Sequence, residues 1–237
     1  VHYAIPHAYA AYMAKKILIE NGYKIPIVTT LHGTDITLVG NHPFYKPAVT
    51  FSINKSDIVT CVSNSLRDDT REFFGIKREI EVIPNFIDID KYANKNNLCE
   101  KNMIAQGDEK IIVHISNFRP LKRIIDVLKI FEKISKKINS KLIMVGDGPD
   151  KKKAKDFLRK NDLKNKVIFL GKTNEIDEIL CSSDLFLLPS EKESFGLAAL
   201  EAMALKVPVI SSNVGGLKEL NINGNSGYTS DFGDIDS

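Results

Sequence analysis

Two glutamates, Glu193 and Glu201, bracket the run Ser194-Phe195-Gly196-Leu197-Ala198, at which a helix begins. The first amides of a helix have no intrahelical acceptor, and the positive end of its dipole faces the same way. The amides near Phe195, Gly196, Leu197 and Ala198 therefore suit an anion such as a diphosphate, and Gly196 lets it come close. Glu201 falls about one turn into the helix, within reach of a ribose hydroxyl. Glu193 precedes the turn and suits the hydroxyls of a sugar. A lone glutamate on a loop is ordinarily solvated; the pair around a glycine turn favours ligand binding.

A second loop, Ser116-Asn117-Phe118-Arg119-Pro120-Leu121-Lys122-Arg123, supplies local positive charge. Arg119 as a planar fork and Lys122 as a mobile point charge can converge on a phosphate pair. By itself this loop also reads as a solvated charge cluster. Gly146-Asp147-Gly148-Pro149-Asp150 has two glycines of a dinucleotide fingerprint but Lys151 at the third position, so a plain strand-to-helix turn is its default. Gly148 keeps the modest role of leaving space near a nucleotide. His32, in His32-Gly33-Thr34-Asp35, stands at a strand end where it contacts substrate or bonds a neighbouring carbonyl. His2, His7, His42 and His114 lack metal-ligand spacing and the cysteines lack a Cys-x-x-Cys pair, so no metal is expected. Asp88-Ile89-Asp90 has the spacing of a metal-binding Asp-x-Asp, yet it follows Pro84-Asn85 and reads as turn chemistry.

The elements that must hold these loops alternate. Apolar runs predict helices over residues 8–21, 45–55, 121–138 and 150–160, with another opening at Ser63, whose hydroxyl can cap it. Strands are expected over 25–31, 57–62, 80–83, 111–115, 142–145, 167–170, 185–188 and 207–210. Short, nearly continuous apolar strands between helices imply parallel sheets covered on both faces. In such α/β sheets ligands bind beyond the carboxyl ends of the strands, where the loops above lie. A polar stretch without period separates two blocks. The expected division is residues 1–92, a linker over 93–108, and 109–237.

With 237 residues, 43% hydrophobic and 27% charged, the chain is folded and globular, and a net charge of +3 argues for neither nucleic acid nor a membrane surface. No apolar run approaches the ~20 residues of a membrane span, and no signal-peptide pattern opens the chain. Three scattered cysteines, Cys61, Cys99 and Cys181, suit reduced thiols and a cytoplasmic setting. The sequence leaves a homo-oligomer open. The start at Val1 and the stop at Ser237 suggest a piece of a longer protein.

The spacing of Glu193 and Glu201 resembles the paired-glutamate motif of retaining family 4 glycosyltransferases of GT-B fold. Ile83-Pro84-Asn85-Phe86-Ile87-Asp88 is similar to that family's linker segment, with Phe86 where glycine is usual. Val145-Gly146-Asp147-Gly148-Pro149, Val167-Ile168-Phe169-Leu170-Gly171 and Val214-Gly215-Gly216 fall in the family's order. The resemblance implies an α/β GT-B protein, two Rossmann-like domains with parallel sheets facing a cleft, truncated at both ends. The segments at Val1–Ala8, Thr29–Thr37 and Ser116–Arg123 resemble a malate-accepting subgroup. That implies UDP-GlcNAc as donor and L-malate as acceptor, in the first step of bacillithiol biosynthesis, without a metal. The family's usual first phosphate-binding arginine falls at Asn117; Arg119 takes its place, as in the subgroup, and Lys122 keeps its position. The resemblance further implies that His32 lies near the donor sugar, and that Tyr3 and Thr30 serve the malate end. The family's first strand, with its acceptor loop, and its last helices are missing, so the activity belongs to the intact protein. Another family 4 transferase with a different acceptor, a UDP-sugar epimerase of similar architecture, and a catalytically silent nucleotide-binding module are the alternatives.

Overall fold

The computed structural model describes residues 1–40, 42–93, 105 and 107–236. The chain forms two compact units: Val1–Asn85 with Glu193–Phe195, and Phe86–Lys192 with Gly196–Ser237. The expected linker, 93–108, lies mostly outside the described residues.

The first unit is built on three parallel strands, β1 (Val28–Leu31), β2 (Ile58–Cys61) and β3 (Glu81–Val82), in that order. Helices α1 (Tyr9–Glu20), α2 (Lys46–Lys55) and α3 (Asn64–Phe74) accompany them. Ser63 caps α3 by accepting a hydrogen bond from the Leu66 amide at 3.1 Å, and Leu66, Thr70 and Phe74, four apart, are its buried stripe. The strand expected from Ile25 starts only at Val28. Pro26 has no N–H to give, and the Ile27 amide turns to the Asp57 carboxylate at 2.5 Å. Beyond β1, the first residues run alongside it: Thr30 donates to Val1 O and Tyr3 donates to Thr30 O, each at 2.9 Å.

The second unit holds six parallel strands: β4 (Lys110–Ile115), β5 (Ser140–Val145), β6 (Val167–Gly171), β7 (Leu185–Leu188), β8 (Val209–Ser212) and β9 (Tyr228–Ser230). Their order is β6-β5-β4-β7-β8-β9, the doubly wound order of nucleotide-binding sheets. Side chains alternate between two cores. Ile111, Val113, Ile143, Val145, Phe186 and Leu188 enter one, and Ile112, Leu142, Met144 and Leu187 the other. This double burial explains why the strands read as continuous apolar runs.

Between the strands lie α4 (Ile89–Ala93), α5 (Ile124–Ser135), α6 (Lys151–Lys160), α7 (Ile176–Cys181), α8 (Leu197–Ala204) and α9 (Leu217–Leu220). The single helix expected over 121–138 is divided. A 3₁₀ turn at Pro120–Lys122 ends at Arg123, which takes φ of 55°, and only then does α5 begin. β8 starts two residues later than expected, because the Val207 amide bonds back to Ala202 O at 2.9 Å and Pro208 has no N–H. The expectation of reduced thiols is met at Cys61, a buried thiol donating to Ser63 O at 3.3 Å, and corrected at Cys181, which is disulfide-bonded; Cys99 lies outside the described residues.

Candidate active site

The strand order reverses between β4 and β7, so the crevice for a ligand in the second unit opens beyond their carboxyl ends. The two loops that leave these ends are the two chemistry-bearing loops of the sequence. They are tied together, since the Glu191 amide donates to Leu121 O at 2.8 Å and Arg123 lies 3.8 Å from the Glu191 carboxylate. Beneath them His114 braces β4 against β7. Its Nδ1 bonds Leu187 O and its Nε2 bonds Ser116 Oγ, each at 2.8 Å. A carbonyl only accepts, so Nδ1 carries the hydrogen and Nε2 accepts from the hydroxyl. Complete burial pushes the His114 pKa down to about 4; the bond to Leu187 opposes this and Lys122 adds to it. His114 is thus a neutral structural brace.

Phe118, with φ of 41° and its ring fully buried, turns the first loop so that Arg119 is exposed while Lys122 is half-buried. Gly148 leans on the same loop. A Cβ there would fall 2.0 Å from Asn117 O, so its missing side chain makes room for backbone, and the Asp150 amide donates to Phe118 O at 3.0 Å. Three loops, after β4, β5 and β7, are thereby joined at the carboxyl end of the sheet.

Gly196 opens α8 with φ of 100°, a conformation that favours glycine, and a Cβ there would lie 2.6 Å from Leu217 Cδ2, so the leucine would have to shift. The first bond of the helix runs from Ala199 N–H to Gly196 O at 2.9 Å, leaving the Leu197 and Ala198 amides ahead of it. Glu201 is half-buried in the following turn. Burial and the nearby Asp177 raise its pKa, and Lys91 partly offsets them. Tyr92 is raised by its own burial, then by Glu201 and Asp177.

In the first unit, His32, Tyr3 and Thr30 gather at the end of β1. The His32 and Tyr3 rings lie 5.0 Å apart. Thr30 Oγ1 accepts from Thr60 Oγ1 at 2.9 Å. Glu193–Phe195 belong to this unit, with Phe195 packed on its core and Ser194 against Gly33, where a Cβ would fall 1.6 Å from the serine Oγ. Two residues stand out that the sequence reading left without a role. Asp35 is buried and accepts amides from Ala4 at 2.8 Å, Gly33 at 3.0 Å and His32 at 3.3 Å. His2 Nδ1 lies 2.7 Å from His32 Nε2. Thirty residues separate the two histidines in sequence, and only the pairing of the first residues with β1 brings them together. Asp88 Oδ1 accepts from the Asp90 amide at 3.2 Å, which is turn geometry, and no group of three His, Cys, Asp or Glu suited to a metal occurs among the described residues.

The second unit is a doubly wound α/β sheet with a basic loop and the start of α8 at its switch point, the place where sheets of this class bind ligands. The chain belongs to the group 1 glycosyl transferases: the family model "Glycosyl transferases group 1" matches residues 100–237, and "Glycosyltransferase Family 4" matches residues 1–91. Its fold is GT-B, of α/β type with parallel sheets. It is 45% identical over 235 residues to N-acetyl-alpha-D-glucosaminyl L-malate synthase of Bacillus anthracis, a match spanning 99% of this chain and 61% of that protein. An uncharacterized glycosyltransferase of Methanocaldococcus jannaschii, MJ1178, is 30% identical over 95% of this chain and 58% of its own length. The chain thus spans about three fifths of these relatives. Among solved structures, Anabaena Alr3699/HepE in complex with UDP and glucose superposes with a TM-score of 0.83 at 22% identity, covering 96% of this chain and 62% of that one. No described helix is long and apolar enough to cross a membrane.

Proposed function

We propose that the protein containing this chain is a retaining glycosyltransferase that moves N-acetylglucosamine from UDP-GlcNAc to the hydroxyl of L-malate, the first step of bacillithiol biosynthesis, in the cytoplasm. The observation that carries this reading is the tie between the Arg119–Lys122 loop and the loop leading to α8, at the reversal of strand order. The 45% identity to the Bacillus anthracis malate synthase supports the donor and acceptor.

On this reading Arg119, Lys122 and the Leu197 and Ala198 amides hold the diphosphate. As the sugar–phosphate bond breaks, the sugar becomes oxocarbenium-like and negative charge grows on the leaving group, and these fixed positive groups lower the barrier. The malate hydroxyl attacks from the face that UDP leaves. Its proton passes to a departing phosphate oxygen, so the anomeric configuration is retained. Glu193 and His32 orient the donor sugar, Glu201 holds the ribose, and Tyr3 and Thr30 serve the malate end.

Mass spectrometry of the full-length protein's products from UDP-GlcNAc and L-malate tests the reading, with a GlcNAc–malate adduct as the expected result. Transfer to another acceptor but not to malate would assign a different family 4 activity. Conversion of UDP-GlcNAc without any acceptor would assign an epimerase.

A further inference from the structure

The His32 imidazole has two nitrogens, and one of them is already engaged: Nε2 lies 2.7 Å from Nδ1 of His2. We infer that His2 is a positioning residue for His32, holding the ring by its Nε2 so that Nδ1 is the nitrogen His32 presents to the donor sugar. This rests on the reading of His32 as a sugar contact.

His2 is itself fixed. Its residue pairs with Thr30 on β1, and its carbonyl accepts from His7 Nδ1 at 2.8 Å. His32 is also held through its backbone, because the buried Asp35 carboxylate accepts its amide and that of Gly33. The Tyr3 ring lies 5.0 Å from the His32 ring and the His2 ring 4.9 Å from it, so the imidazole is flanked by two aromatic neighbours. With backbone and Nε2 both tied, rotation of the ring would break a hydrogen bond. A neutral imidazole has one N–H and one bare nitrogen, so the two tautomers are coupled. When His2 Nδ1–H donates, His32 Nδ1 carries a hydrogen and can donate to a sugar hydroxyl. When His32 Nε2–H donates, its Nδ1 is bare and can only accept.

The test combines nitrogen-15 NMR of the histidines with steady-state kinetics on the full-length protein. Three variants are compared: His2→Phe keeps a ring of similar size without a hydrogen bond, His2→Asn places an amide nitrogen near the Nδ1 position, and His2→Gln displaces it. Wild type should show one His32 tautomer, and His2→Phe a mixture. His2→Phe and His2→Gln should lower kcat by about tenfold to a hundredfold, the cost of a misplaced group, with KM for UDP-GlcNAc within about twofold. His2→Asn should recover most of kcat. A mixed His32 tautomer in wild type, a tautomer indifferent to His2→Phe, or equal kcat in all variants would overturn the assignment. The NMR arm reads the pair whatever the substrate, so wild-type protein that does not transfer GlcNAc would refute the proposed function separately.

Discussion

The backbone amide of Glu191 donates to the carbonyl of Leu121 across 2.8 Å, and so the loop after β7 is fastened to the loop after β4. Strand neighbours do not by themselves align the loops beyond them. This bond does, with His114 bridging the same two strands just below. The loop that carries Arg119 and Lys122 therefore shares a frame with the loop after β7, and on the proposed reading the phosphate binds on that frame.

Arg119→Ala should weaken UDP binding and lower kcat in the full-length protein. Loss of one charge-assisted contact costs on the order of 1.5–3 kcal/mol, roughly a tenfold to hundredfold effect. Calorimetry with UDP and initial rates measure it, and wild-type values for both would remove Arg119 from the phosphate site.

Turnover should survive EDTA. On the proposed reading Arg119 and Lys122 meet the growing charge on the diphosphate and take the place of the divalent ion of transferases that use Asp-x-Asp. If chelator abolished turnover and Mg²⁺ or Mn²⁺ restored it, the turn at Asp88 and Asp90 would have to be reconsidered as a ligand set.

The alternation of strands and helices was legible because burial on both faces leaves so plain a trace: Ile111, Ile112 and Val113 are all apolar, though they enter two different cores. The loops at the strand ends were legible for the same reason. What the residues could not show was how the loops are held. Gly148 gives no sign in the sequence that the Asn117 carbonyl lies beside it. His114 shows no motif spacing, since its partners are a carbonyl 73 residues away and a hydroxyl two residues on. The division of the helix at Arg123 depends on one positive φ, for which arginine carries no signal. Short elements such as α7, α9 and β9 fall below the length at which a period can be counted.

The buried His114 should make stability depend on pH. Its folded pKa of about 4 lies below the unfolded value of 6.5, so the unfolded state binds more protons between them. Stability is thus full above pH 6.5 and falls as pH drops toward about 4. A difference of about 2.5 pH units at ~1.4 kcal/mol each is on the order of 3–4 kcal/mol. Urea unfolding followed by circular dichroism at several pH values should show this slope in wild type and a shallower one in His114→Gln. Equal slopes in the two proteins would contradict the neutral brace.

Glu193 and Glu201 should fail differently when mutated, because Glu193 precedes α8 in the sequence, Glu201 lies within it, and the two are assigned to opposite ends of the donor. Glu193→Gln should leave UDP affinity nearly intact while losing turnover, since a contact that orients the sugar acts mainly as the transition state forms. Glu201→Gln should weaken UDP itself, as a charged hydrogen bond to a ribose hydroxyl is worth roughly 1.5–3 kcal/mol and is present before the chemistry. The raised pKa of Glu201 adds a second readout. Burial and Asp177 favour its protonated form, so its carboxylate is lost at a higher pH than an ordinary glutamate's. UDP affinity should accordingly decline on mild acidification in wild type and in Glu193→Gln, and lose that part of its pH dependence in Glu201→Gln. Calorimetry with UDP across pH, beside turnover of both mutants, separates the roles. Equal losses of UDP affinity in the two mutants, or a loss confined to Glu193→Gln, would reject this division of labour.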